Sequence, residues 1–89
     1  EEQPITAKQA YADHKEQQKK IRKAERAVEE SEKKIAELET RIKQLDEQLC
    51  KPENAANMEL VNQYTDTKDR LDKEVERWEQ LSEELESLI

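Results

Sequence analysis

The stretch IRKAERAVEESEKKIAELETRIKQLDEQL, residues 21–49, dictates the fold. Ile21, Val28, Ile35, Ile42 and Leu49 recur every seven residues. Ala24, Ser31, Leu38 and Leu45 stand three residues after each of the first four. Alternating steps of three and four lay one narrow apolar stripe along a straight helix, the seam of a coiled coil. At about 1.5 Å per residue the stretch is roughly 43 Å long. A lone helix cannot bury such a stripe, so a second helix must cover it.

The second half of the chain supplies the cover. Tyr64, Leu71, Trp78 and Leu85 form one heptad row, and Val61, Lys68, Val75, Ser82 and Ile89 form the expected second row. Leu60, Leu81 and Leu88 widen this stripe on one side. Between the two heptad tracts lies KPENAAN, residues 51–57. Pro52 lacks an N–H and disfavours helical geometry at Lys51, so the first helix ends there. Asn54 and Asn57 are both competent to cap the next helix, and Asn57 is preferred. A short link between helices favours antiparallel neighbours. The expected fold is all-α, a two-helix antiparallel coiled-coil hairpin. It comprises a linker or frayed lead-in over 1–10, a helix over 11–50, a turn over 51–57 and a helix over 57–89.

Side-chain volume selects a register. Leu45 is set opposite Val61, Ile42 opposite Tyr64 and Ile35 opposite Leu71. Val28 then faces Trp78, next to the small Ala24 and Ser31. Sliding one helix by a heptad would set Trp78 against Ile35 and Ser31 against Ser82, which packs less well. Lys68 falls on the expected seam, and its ammonium is expected to snorkel to solvent over Leu38 or Leu45.

Composition narrows the function classes. The chain has 89 residues, of which 44% are charged and 33% hydrophobic, and it contains no Gly. Phosphate-cradling loops need backbone without a Cβ, so a P-loop or a dinucleotide fingerprint is excluded within this chain. Disorder is the competing reading of so much charge, but disordered tracts do not hold apolar residues in register for four heptads. The net charge of −7 argues against indiscriminate binding of nucleic acid or anionic membrane by the whole surface. No apolar run is long enough to span a bilayer. The single cysteine, Cys50, cannot form an internal disulfide and fits a reducing, cytoplasmic setting. The chain starts without Met, which reads as a piece of a longer protein.

Catalytic chemistry finds little to build on. His14 is the only histidine and has no second ligand at helical spacing. Cys50 has no nearby histidine to activate it. Carboxylate pairs such as Glu29 and Glu30 read as a solvated face. Tyr64 and Trp78 fall on the seam, where packing explains them. The expectation is a chain that is not itself an enzyme and holds no metal, cofactor or small-molecule substrate.

One patch stands out. Residues 15–26, KEQQKKIRKAER, carry Lys15, Lys19, Lys20, Arg22, Lys23 and Arg26 against only Glu16 and Glu25. Lys15, Lys19, Arg22 and Arg26 step by four, three and four, so they share one outer face, opposite the seam. Such a face suits contact with phosphates, and a merely solvated helix face is the competing reading. The hairpin brings Glu83, Glu84 and Glu86 towards residues 20–23, so Lys20 and Lys23 should be partly neutralised and the outer row left free.

The order of features resembles one family. An aromatic residue opens the helix in AYADHKEQ, and a basic turn and a Glu/Leu heptad follow. Then come a proline break in LCKPEN, a second heptad with Tyr64, and RWEQL at Arg77 to Leu81. This pattern, over roughly residues 8–89, is similar to the C-terminal coiled-coil domain of ABC-F ATPases, the soluble tandem-cassette ABC proteins, in particular the Uup-type branch. The resemblance implies a parent that hydrolyses ATP, with Mg, in nucleotide-binding domains outside this chain. It implies action on ribosomes, or DNA binding by the C-terminal domain, and no membrane-spanning part. The six basic residues of 15–26 are the candidates for phosphate contact. Two other readings stand beside it: a purely structural coiled-coil spacer or dimerisation element, and the tRNA-binding helical arm of a seryl-tRNA synthetase. A hairpin that covers its own seam is expected to be monomeric.

Overall fold

The computed structural model describes residues 7–89, and the first six residues of the expected lead-in lie outside it. Helix α1 runs Ala7–Leu49, a single turn of 3-10 helix spans Pro52–Asn54, and helix α2 runs Met58–Leu88. Helix α1 thus starts four residues before the expected boundary. The two helices pack against each other as an all-α hairpin measuring 81 × 15 × 15 Å. A thickness of 15 Å is two helices side by side, so among the described residues there is no third layer and no enclosed interior.

The turn forms as Pro52 dictates. Lys51 is extended, with φ −75° and ψ 133°, the geometry that a following proline favours. The last carbonyls of α1 find partners outside the helix. The Cys50 amide donates to the Asp46 carbonyl over 3.0 Å, and the Asn54 side-chain amide donates to the Gln48 carbonyl over 2.9 Å. Helix α2 opens on Asn57, whose Oδ1 accepts from the amides of Glu59 and Leu60. That is the expected cap. Asn54 instead ties the turn to α1.

The seam of α1 follows the sequence pattern. Ile21, Ala24, Val28, Ile35, Leu38, Ile42 and Leu49 are half-buried, and Ser31 and Leu45 are fully buried. The seam of α2 is phased differently from the expectation. Tyr64, Leu71, Trp78 and Leu85 are half-buried as expected, and so are Val75 and Ser82 of the expected second row, but the row half-buried along its whole length is Leu60, Thr67, Glu74, Leu81 and Leu88. Val61 is 37% exposed and Ile89 79% exposed, and Lys68 is exposed as well. The leucines read as a widening of the stripe, Leu60, Leu81 and Leu88, belong to this half-buried row. The exposed Lys68 side chain reaches over Tyr64, its Nζ 5.9 Å from the centre of the ring.

The polar members of the second row both find partners, one within α2 and one across the seam. The Thr67 hydroxyl donates to the Gln63 carbonyl over 2.7 Å. Glu74 Oε1 accepts from the Ser31 hydroxyl over 3.2 Å. Cross-helix pairs fix the register. Gln17 Nε2 donates to the Leu88 carbonyl at the open end, and Arg41 donates to Gln63 Oε1 nearer the turn. Ser31 meets Glu74 rather than Ser82, so the hairpin adopts the expected register and not the one displaced by a heptad. Trp78 departs in detail. Its indole N–H donates to Glu32 Oε1 over 3.2 Å, and its ring borders a depression with Ile35 and Val75. Helical side chains lean towards their own N-terminus. In an antiparallel pair that lean carries the indole about one turn along α1, from Val28 towards Glu32 and Ile35.

Because Gln17 lies opposite Leu88, the first part of α1 has no partner helix among the described residues. Residues 11–20 are all exposed, with Tyr11 at 68%.

Candidate functional site

Helix α1 displays all six sequence-predicted basic residues. Lys15, Lys19, Lys20, Arg22, Lys23 and Arg26 are exposed, and none forms an ion pair among the described residues. The helical period places Lys15, Lys19, Arg22 and Arg26 in one row turned away from α2. Lys20 and Lys23 lie closer to the partner helix. They border a shallow groove with Ala24, Ala27 and Glu84. Glu84 is therefore the acidic neighbour that the hairpin brings to these lysines, while the outer row is held apart from α2 by the thickness of α1. Arg22 has the Glu25 carboxylate of its own helix nearby, around a small cleft with Gln18 and Ile21.

A second set of cations escaped the sequence reading. Lys34 of α1 and Arg70, Lys73 and Arg77 of α2 surround a groove of about 520 Å³, with Leu38, Glu37 and Glu74 completing its walls. Arg70 pairs with Asp66 at 3.2 Å and Lys73 with Asp69 at 3.1 Å, each one helical turn away on the exposed surface. Lys34 and Arg77 form no ion pair among the described residues. The available signal was the position of these residues. Lys20, Lys34 and Arg41 each precede a seam residue of α1, as Arg70 and Arg77 do on α2. A reading that looks for runs of charge along one helix passes over cations gathered from two.

The remaining candidates are ordinary surface or packing residues. His14 and Cys50 are exposed, and Cys50 is a free thiol. Tyr64 and Trp78 are half-buried on the seam. Among the described residues no group of three or more His, Cys, Asp or Glu is placed to hold a metal ion. No described helix is long and apolar enough to cross a membrane.

With the hairpin, its turn and its basic face in place, comparison with known families is decisive. A family model described as ABC transporter C-terminal domain matches residues 13–83. The chain belongs to the ABC transporter C-terminal domain family. No curated protein and no solved structure matches it. The matched span of this ABC transporter C-terminal domain takes in the six basic residues of 15–26, the proline turn, and the RWEQL segment around Trp78. Both helices and the link between them therefore form one family unit.

Proposed function

We propose that this ABC transporter C-terminal domain is the accessory hairpin of an ABC-F ATPase of the Uup-type branch. In this reading it contacts nucleic acid, either DNA or ribosomal RNA, through the basic face of α1. The observation that carries the reading is the row Lys15, Lys19, Arg22 and Arg26, exposed and unpaired among the described residues, in a chain of net charge −7. An unpaired basic row on an otherwise acidic body confines phosphate contact to one side and fixes the orientation of binding.

The hairpin itself is not an enzyme in this reading. ATP and Mg belong to nucleotide-binding domains elsewhere in the parent, and the chain adds a binding surface to them. It works in the cytoplasm as a monomer, with no membrane or small-molecule partner. Family membership favours this assignment over a synthetase arm.

The test is charge reversal on the outer row. The Lys19→Glu, Arg22→Glu, Arg26→Glu variant should bind duplex DNA and ribosomes more weakly than the unaltered chain. The slope of log affinity against log salt should fall by roughly 2–3 units, one for each phosphate that is no longer neutralised. Binding unchanged by the triple variant rejects the reading. A melting temperature that climbs with protein concentration would favour a dimerisation element instead.

A further inference from the structure

We propose that the phosphate backbone of the bound nucleic acid is gripped in the groove framed by Lys34, Arg70, Lys73 and Arg77, on one flank of the hairpin and across both helices. The inference rests on the nucleic-acid reading above and places the grip on residues outside the outer row.

The argument starts from how the flanks are charged. Two-helix coiled coils gain stability and register by setting opposite charges on facing flanks. Here Lys34 shares a groove with Arg70 and Arg77, so cation faces cation. Arg41 continues the same flank and meets the neutral Gln63 at 3.3 Å. Carboxylates are not scarce in this chain. Glu25, Glu32, Glu39 and Asp46 are acidic without exception, and all four follow the second-row seam residues of α1 on the opposite flank. Glu32 is seen there, accepting from the Trp78 indole. At the level of Lys34 and Arg77 this flank carries cations on both helices, whereas nearer the open end Glu84 stands beside Lys20 and Lys23. The like-charged level works against hairpin stability, so a basic flank of this kind finds its counter-charge in a partner.

The groove suits a phosphate chain. Leu38 lines it between the helices. The guanidinium groups of Arg70 and Arg77 offer planar forks of donors that match phosphate oxygens. Arg70 and Lys73 hold only exposed contacts within their own helix, and such pairs are exchanged at little cost. Glu37 and Glu74 also border the groove, Glu74 accepting from Ser31 across the seam, and the four cations there outnumber these two carboxylates. Lys20 and Lys23 lie on the same flank towards the open end. From Lys20 to Arg41 the basic edge runs about 32 Å at ~1.5 Å per residue, comparable with one turn of a DNA duplex, about 34 Å.

The experiment compares the unaltered chain, a Lys34→Gln, Arg77→Gln variant, and the outer-row triple variant. Each is titrated with duplex DNA and with an RNA stem-loop over a range of salt. The groove variant should bind roughly tenfold more weakly, with a salt slope lower by about two. Its melting temperature should equal or exceed that of the unaltered chain, because a like-charge repulsion has been removed, so misfolding does not explain the weaker binding. Weakening on both nucleic acids supports a backbone grip; weakening on one alone supports it and names the source of the phosphates. A groove variant that binds normally while the outer-row variant fails overturns this inference and leaves the functional reading intact. An unaltered chain that binds neither nucleic acid overturns both.

Discussion

Ser31 and Glu74 meet across the hairpin, the serine hydroxyl donating to Glu74 Oε1 over 3.2 Å where the two seams cross. Ser31 is only 2% exposed, the most buried polar residue in the described chain. Every other fully or half-buried seam residue of α1 is aliphatic. A polar pair at one level of an apolar seam costs stability and penalises misalignment, since any other register leaves it facing hydrocarbon. Replacing both partners, Ser31→Leu with Glu74→Leu, should raise stability by about 1–3 kcal/mol. The same change should loosen register and promote self-association. Thermal unfolding checks the first effect and sedimentation the second. A less stable, strictly monomeric double variant would contradict this account of the pair.

Trp78 is the largest seam residue and the only tryptophan. Its ring rests beside Ile35 and Val75, and its N–H reaches Glu32. Trp78→Ala should cost about 3 kcal/mol, as for other large-to-small changes at packed sites. Among the described residues Leu45 is the one fully buried apolar side chain, so the loss falls on a thin core. Urea titration followed by circular dichroism measures it. Trp78→Phe retains most of the packing and should cost far less.

Asn57 carries the start of α2 by accepting from two backbone amides. Asn57→Ala should destabilise the hairpin by about 1 kcal/mol, and Asn57→Ser or Asn57→Asp should recover most of it. The Asp66–Arg70 pair supplies the contrast. Both side chains are more than half exposed, so Asp66→Ala should change stability by less than about 0.5 kcal/mol. Equal effects at Asn57 and Asp66 would show that the cap carries no special weight.

The open end should be the least protected part of α1. Beyond Gln17, which donates to the Leu88 carbonyl, α1 has no partner helix among the described residues to exclude water from its backbone. Amides of residues 11–16 should exchange with solvent by local fraying, and those from 28 to 45 only with global opening. Hydrogen exchange followed residue by residue distinguishes the two. Substitution of Gln17 by Ala should extend the frayed zone towards Ile21.

The hairpin, the whole seam of α1, the break at Pro52 and the cap at Asn57 were all legible in the order of residues alone. Those features are written in local terms: a strict heptad of aliphatic residues, a missing N–H, a side-chain oxygen beside free amides. The exposed face bearing Lys15, Lys19, Arg22 and Arg26 was legible for the same reason, because one helical period fixes it. The second row of α2 emerged only when the two helices came together. Thr67 and Glu74 belong to it, yet their polarity directed a count of apolar positions to the neighbouring column of Val61, Val75 and Ile89. Thr67 bonds the Gln63 carbonyl within α2 itself, but Glu74 finds its partner only when Ser31 arrives from α1. The groove of Lys34, Arg70, Lys73 and Arg77 was hidden in the same way. Its charges lie on two helices more than thirty residues apart in sequence, and only the antiparallel packing of those helices brings them to one flank.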